Sequence, residues 1–195
     1  MKNIDDFNFR NRKALLRVDF NVPLNNELIV TDETRIIATI PTIKKIINEG
    51  GSVILMSHLG RPKKGPEDQY SLKHIIPNLQ EKLGTEVKFA SDCIGVSALE
   101  LSQTLGTREV MLLENVRFYP EETKGDEDFA SKLAKLGDIY VNDAFGTAHR
   151  AHASTTIVAQ FFEDKCAGYI MGSELANAKK VLEDPHRPFT AIMGG

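Results

Sequence analysis

Arg61, Arg117 and Arg150 each stand a few residues beyond a short apolar run, far apart in the chain. Asp19, Phe20, Asn21, His58, Leu59, Gly60 and Gly146 occupy the same kind of position. Arginine presents a flat fork of donors that matches phosphate and carboxylate oxygens in pairs. Each such charge-assisted hydrogen bond contributes roughly 1.5–3 kcal/mol. Gathered cations repel one another, so a cluster of them implies an anionic guest. An ionised Asp19 is acceptor-only, which suits a hydroxyl or a neighbouring cation rather than a phosphate. Arg35, near the start of the helix after the first loop, is a further candidate for the same edge.

The plainer readings are specific too. A lone arginine after a strand is commonly a surface charge, and it is their number on one edge that favours an anion site. Arg17, inside its strand, reads as structural, paired with a nearby carboxylate. His74 and His186 read as surface residues. His58 and His149 are possible metal ligands, but only His149 and His152 lie close together, and no zinc spacing is present. Gly60 and Gly65 have P-loop spacing, yet Pro66 and Glu67 stand where Lys and Ser or Thr are required. Neither Gly-x-Gly-x-x-Gly after a strand nor Gly-x-Ser-x-Gly occurs.

Distant loops meet only if the elements before them lie side by side. Candidate strands cover residues 14–18, 52–57, 86–90, 110–114, 138–141 and, more weakly, 155–159. Val53-Ile54-Leu55-Met56 and Val110-Met111-Leu112-Leu113 are continuously apolar, as in strands covered on both faces. Candidate helices fall between them, over residues 33–48, 71–83, 95–105 and 126–136. Pro41 predicts a kink or a second start in the first, and Pro77 lies inside the second. Ser71 is a candidate cap, and Gly84 a stop. The alternation implies right-handed crossovers and an α/β fold: a doubly wound, Rossmann-like parallel sheet with helices on both faces. Ligands of such sheets bind beyond the carboxyl ends of the strands, where the candidate residues fall.

The chain has 195 residues, 42% hydrophobic and 26% charged, enough for a core of its own. Lys and Arg number 24 against 27 Asp and Glu, so there is no basic excess of the kind a nucleic-acid surface shows. Cys93 and Cys166 read as reduced, buried thiols rather than a bridge. No signal peptide and no run of about 20 apolar residues is visible, so the expected location is cytoplasmic, with no membrane partner.

Four segments then carry a resemblance. Arg17-Val18-Asp19-Phe20-Asn21-Val22-Pro23, Ser57-His58-Leu59-Gly60-Arg61-Pro62, Leu113-Glu114-Asn115-Val116-Arg117-Phe118 and Asn142-Asp143-Ala144-Phe145-Gly146-Thr147-Ala148-His149-Arg150-Ala151-His152 resemble the phosphoglycerate kinase family, in the same order. The resemblance covers the whole chain. It implies residues 1–172 as the N-terminal, phosphoglycerate-binding domain and residues 173–185 as an interdomain helix. Residues 186–195 would be the first strand of a truncated nucleotide-binding domain.

The family is a transferase of glycolysis that moves a phosphoryl group between 1,3-bisphosphoglycerate and ADP, giving 3-phosphoglycerate and ATP. On that pattern Arg61, Arg117, Arg150 and His58 grip the 3-phosphate, with Phe20, Leu59, Gly60 and Gly146 lining the site. Asp19 and Asn21 hold the hydroxyl and neighbouring groups, and Arg35 reaches the phosphoryl group in flight. Magnesium and ADP or ATP would be bound mainly by the missing C-terminal domain, leaving no metal or cofactor residue in this chain. The full-length protein is expected to be a monomer and the isolated chain inactive. The alternative is a binding module for another anionic metabolite, without kinase chemistry.

Overall fold

The computed structural model describes residues 2–63, 65–183 and 190. Apart from Thr190, the expected strand within 186–195 lies outside the described residues, as do His186 and the last two residues of the expected helix over 173–185. Six strands, Lys13–Arg17 (β1), Ser52–Met56 (β2), Val87–Phe89 (β3), Val110–Leu112 (β4), Ile139–Asn142 (β5) and Lys165–Ala167 (β6), form one sheet in the order β3-β4-β2-β1-β5-β6. Every pairing is parallel. The helices are Thr34–Asn48 (α1), Ile76–Leu83 (α2), Val96–Thr104 (α3), Pro120–Lys124 (α4), Glu127–Ala134 (α5), Phe145–Ala148 (α6) and Tyr169–Glu183 (α7).

The continuous apolar runs are explained by the two layers they serve. Leu16, Leu55, Leu112 and Val141 pack on one face with Ile36, Ile43 and Ile46 of α1 and Leu79 and Leu83 of α2. Their neighbours Leu15, Ile54, Met111 and Tyr140 pack on the other with Ala98 of α3 and Phe129, Ala130 and Leu133 of α5. Successive strand residues point to opposite faces, so a sheet roofed on both sides needs apolar residues at every position. The strand order runs outward from β1 in both directions, and a crevice at such a reversal is where ligands of these sheets bind. Among the described residues no helix is long and apolar enough to cross a membrane. Cys93 and Cys166 are buried and unbridged.

Three expectations need correction. The stretch 155–159 is not a strand: Ala153–Ile157 forms a π-helical turn and Val158–Phe161 a 3-10 turn. The Thr155 hydroxyl donates to the carbonyls of Arg150 and His152, and the Tyr140 hydroxyl to those of Ser154 and Thr155. Such local bonds compete with a ladder. The sixth strand is instead β6, three residues long and paired with β5.

The final helix begins at Tyr169, not Ser173, because the Asp143 carboxylate caps it from outside. α1 runs through Pro41 without a restart; Pro41 and Ile37 are both exposed, so water can reach the carbonyl left without a partner. The second helix does divide. Leu72–Ile75 is 3-10, capped by the Ser71 hydroxyl, and Pro77 falls in the first turn of α2, where a missing N–H costs nothing.

Candidate functional site

The carboxyl ends of β1, β2, β4 and β5 open onto one edge, and the loops there are stitched to each other by buried polar side chains. The Ser57 hydroxyl accepts from the Phe20 N–H at 2.9 Å and donates to the Val18 carbonyl at 2.9 Å. Asn115 donates through Nδ2 to the carbonyls of Leu59 (2.7 Å) and Tyr70 (2.9 Å), and its Oδ1 accepts from the Arg117 N–H. Glu114 accepts from the Ser71 hydroxyl and from the N–H groups of Leu72 and Asn115. Asn115 and Glu114 are framework residues that the sequence did not single out. Their signal was there: a polar pair directly after a continuous apolar strand must find partners if buried.

This frame brings the three loop arginines together. Arg61, Arg117 and Arg150 line a single cleft of about 400 Å³, with Lys63, Tyr119, Thr123 and His152 beside them. Arg117 is the best anchored: it is half-buried, and its Nη1 donates to the Gly60 carbonyl at 2.8 Å. Burial depresses its pKa, and Arg150, Arg17 and Arg61 push in the same direction. Arg61 and Arg150 are exposed, and the Arg150 Nε meets His149 Nε2 at 3.4 Å. His152, absent from the sequence-derived set, lines the cleft with its Nδ1 at 3.9 Å from the buried carboxylate of Glu122.

The remaining candidates separate into surface and framework groups. Asp19 Oδ2 is paired with Arg35 Nη1 at 2.6 Å, and Arg35 keeps 52% of its side chain exposed. An exposed pair of this kind contributes only about 0–1 kcal/mol, so it restrains Arg35 weakly. Gly146 lies beside this pair: a Cβ there would sit 3.6 Å from Asp19 Oδ2, an ordinary contact. Asn21 Oδ1 accepts the Gly60 N–H at 2.8 Å. Gly60 therefore has both backbone groups engaged within the fold, N–H by Asn21 and carbonyl by Arg117. Glycine is needed there because φ is +61° and a Cβ would fall 2.3 Å from the Tyr70 ring. The Phe20 and Leu59 side chains belong to the core, at 0% and 3% exposure.

Arg17 departs from expectation. It is 1% exposed, yet no carboxylate among the described residues lies within ion-pair distance of it. Its Nε donates to the Ser154 hydroxyl at 2.9 Å, Nη1 to the Val18 carbonyl, and Nη2 meets His58 Nδ1 at 3.3 Å. The structure satisfies its donors with neutral acceptors.

His58 is 4% exposed. Burial, then Arg17, Arg117, Arg35 and Arg150, drive its pKa down to about 2. It is neutral at any ordinary pH. A folded-state value below the unfolded one means that the unfolded chain binds more protons between them. Stability from this group is present above about 6.5 and is lost as pH falls toward about 2. The slope for one proton is at most about 1.4 kcal/mol per pH unit. We expect His58→Gln to flatten the loss of stability between about pH 6.5 and about pH 4.5, read from urea midpoints across that range. An unchanged slope would mean that His58 titrates normally.

Among the described residues, no three His, Cys, Asp or Glu side chains come together so as to hold a metal ion. Asp19 is engaged by Arg35, and Glu122 by Ser154. The cleft lined by Arg61, Arg117 and Arg150 has the charge to suit an anion.

Comparison with known proteins bears on this arrangement. The family model described as phosphoglycerate kinase matches residues 4–195. The phosphoglycerate kinase of Chlorobium limicola is 50% identical over 194 residues, covering 100% of this chain and 49% of the relative. That of Porphyromonas gingivalis is 48% identical over 217 residues, with 98% and 52% covered. Among solved structures, phosphoglycerate kinase from Coxiella burnetii superposes with a TM-score of 0.89 at 37% identity, over 100% of this chain and 48% of that one. The chain spans about half the length of the curated relatives it matches. With the family model matched over residues 4–195 and a solved relative superposing over the whole chain, the chain belongs to the phosphoglycerate kinase family.

Proposed function

We propose that this chain is the N-terminal, phosphoglycerate-binding half of a phosphoglycerate kinase. The full enzyme would transfer a phosphoryl group reversibly between 1,3-bisphosphoglycerate and ADP, with a carboxyl group as acceptor in the reverse direction. It would act in glycolysis, as a cytoplasmic monomer. The observation that carries the reading is the single cleft shared by Arg61, Arg117 and Arg150, three cations from three separate loops.

In this reading the three arginines hold the 3-phosphate, and His58 adds a neutral donor. Asn21 keeps its amide NH₂ for the substrate, since its oxygen is bound to Gly60. Asp19 can accept from the 2-hydroxyl. Arg35 leaves Asp19 to meet the phosphoryl group as charge develops on it, and the weak surface pair permits this. Phosphoryl transfer is accelerated chiefly by positioning and by neutralising that charge. Magnesium neutralises phosphate charge in such reactions. It and the nucleotide would be held by a second domain, so the chain by itself should bind without turning over.

Titration tests this. 3-Phosphoglycerate should bind, with affinity falling as salt rises, while ADP should bind weakly or not at all. Tight ADP binding would overturn the assignment of this half. A folded chain that ignores 3-phosphoglycerate but binds another small anion would favour a metabolite-binding module without kinase chemistry.

A further inference from the structure

Glu122 and Arg17 are a buried acid and a buried base, each 1% exposed, joined through a third residue. Ser154, 0% exposed, lies between them. Its Oγ is 2.9 Å from Arg17 Nε and 2.6 Å from Glu122 Oε1, and its N–H donates to Glu122 Oε2 at 2.8 Å. A guanidinium can only donate and a carboxylate can only accept. The hydroxyl must therefore accept from Arg17 and donate its one O–H to Glu122. The π-helical turn Ala153–Ile157, tied down by the Tyr140 hydroxyl, sets Ser154 at this point.

The same donor-only logic extends one residue further. With Nε on Ser154 and Nη1 on the Val18 carbonyl, Arg17 directs Nη2 at His58 Nδ1, 3.3 Å away. Nδ1 can only be the acceptor, so the ring proton belongs on Nε2. Nε2 has no hydrogen bond among the described residues. His58 keeps 4% of its surface exposed. The charged groups that act on the ring are Arg17, Arg117, Arg35 and Arg150, all positive. A neutral N–H donor adds a hydrogen bond for an anion here without adding a repelled charge.

We propose that Ser154 is a positioning residue: its hydroxyl, shared by Glu122 and Arg17, locks the guanidinium against His58 Nδ1 and holds the imidazole as an Nε2–H donor for the bound anion. The donor's use rests on the 3-phosphoglycerate reading above; the tautomer does not. The test is long-range nitrogen–proton NMR of the histidine rings in the labelled chain, joined to calorimetric titration with 3-phosphoglycerate.

In the unsubstituted chain His58 should be a single Nε2–H tautomer; an Nδ1–H ring or a mixture overturns the proposal. Ser154→Ala should release Arg17 toward Glu122, mix the His58 tautomers and weaken 3-phosphoglycerate about tenfold, near the loss of one hydrogen bond. Ser154→Thr keeps the hydroxyl and should restore the single tautomer, which a purely volumetric role for Ser154 would not require. Should the alanine variant fail to fold, Ser154→Cys, similar in size but a weak hydrogen-bonding partner, should loosen the tautomer in the same way. A folded Ala or Cys variant with tautomer and affinity unchanged overturns the proposal. The expected tautomer pattern in a chain that does not respond to 3-phosphoglycerate would sink the substrate reading and leave the relay standing.

Discussion

Replacing Arg117 with alanine should weaken 3-phosphoglycerate binding about a hundredfold, the largest loss among the loop arginines. Two charge-assisted hydrogen bonds at roughly 1.5–3 kcal/mol each make such a loss reasonable. Arg117 stands out because it is already oriented: its Nη1 is held by the Gly60 carbonyl and its stem is half-buried. Arg61 and Arg150 are exposed and must be ordered by the ligand, so their alanine variants should lose only about tenfold, the ordering of each long side chain offsetting part of its gain. Arg35→Ala should spare most of the binding and depress turnover in a full-length enzyme. Equal, severe binding loss for Arg35→Ala would make it a ground-state ligand instead.

The same arginines repel one another without a ligand, as the downward push on Arg117 by Arg150, Arg17 and Arg61 indicates. Arg117→Ala should therefore leave the stability of the free chain unchanged or slightly raised while binding collapses. Calorimetric titration at fixed salt, beside a thermal melt, separates the two. Binding that survives in Arg117→Ala would remove the anion cleft from the account.

Asp143→Ala should be the most damaging single change to stability away from the apolar core, at about 2–4 kcal/mol. Asp143 is 1% exposed. Its Oδ1 accepts from the N–H groups of Ile170 (2.8 Å) and Met171 (3.2 Å), and its Oδ2 from the Thr42 hydroxyl at 2.6 Å. Thr42 in turn accepts from the Tyr169 N–H. One carboxylate thus joins the loop after β5, the first turn of α7 and the middle of α1. Alanine would leave these donors unpaired, those of Met171 and Thr42 in the interior.

Burial raises the Asp143 pKa, against the lowering effect of its three hydrogen bonds. With the folded value above the unfolded one, stability from this group is present at acid pH and lost as pH rises through the raised value. Asp143→Asn keeps an acceptor and removes that buried charge, so at neutral pH it should lie much closer to the unsubstituted chain than Asp143→Ala does. Urea midpoints for both variants, with amide exchange across Tyr169–Glu183, would show it. Equal losses for Asn and Ala would mean that the charge, not the acceptor, secures the helix.

Residue type and spacing were enough for the layered architecture. Val53–Met56 and Val110–Leu113 suited strands covered on both faces, α1 was legible from its apolar spacing, and α3 and α5 filled the intervals between strands. The arginine loops followed, since a parallel sheet sends every such loop to the same edge. β6 was not legible: a strand of Lys, Cys and Ala has too few apolar residues to declare itself. Nor was the turn at 153–157, where β-branched residues argued for a strand and their hydroxyls made the opposite choice.

Within the site, the chain's own residue types pointed to an anion, because several guanidinium groups at one edge have few other uses. Tertiary structure alone decided which candidates face the guest. It buried Phe20 and Leu59, engaged both backbone groups of Gly60, and gave Arg17 a hydroxyl and an imidazole in place of a carboxylate. The physical reason is that charge is a property of a residue, whereas the partner of a buried polar atom is set by whatever the fold brings within about 3 Å of it. Ser154 and Glu122 reach Arg17 from more than a hundred positions away, a distance over which no local pattern in the sequence carries information.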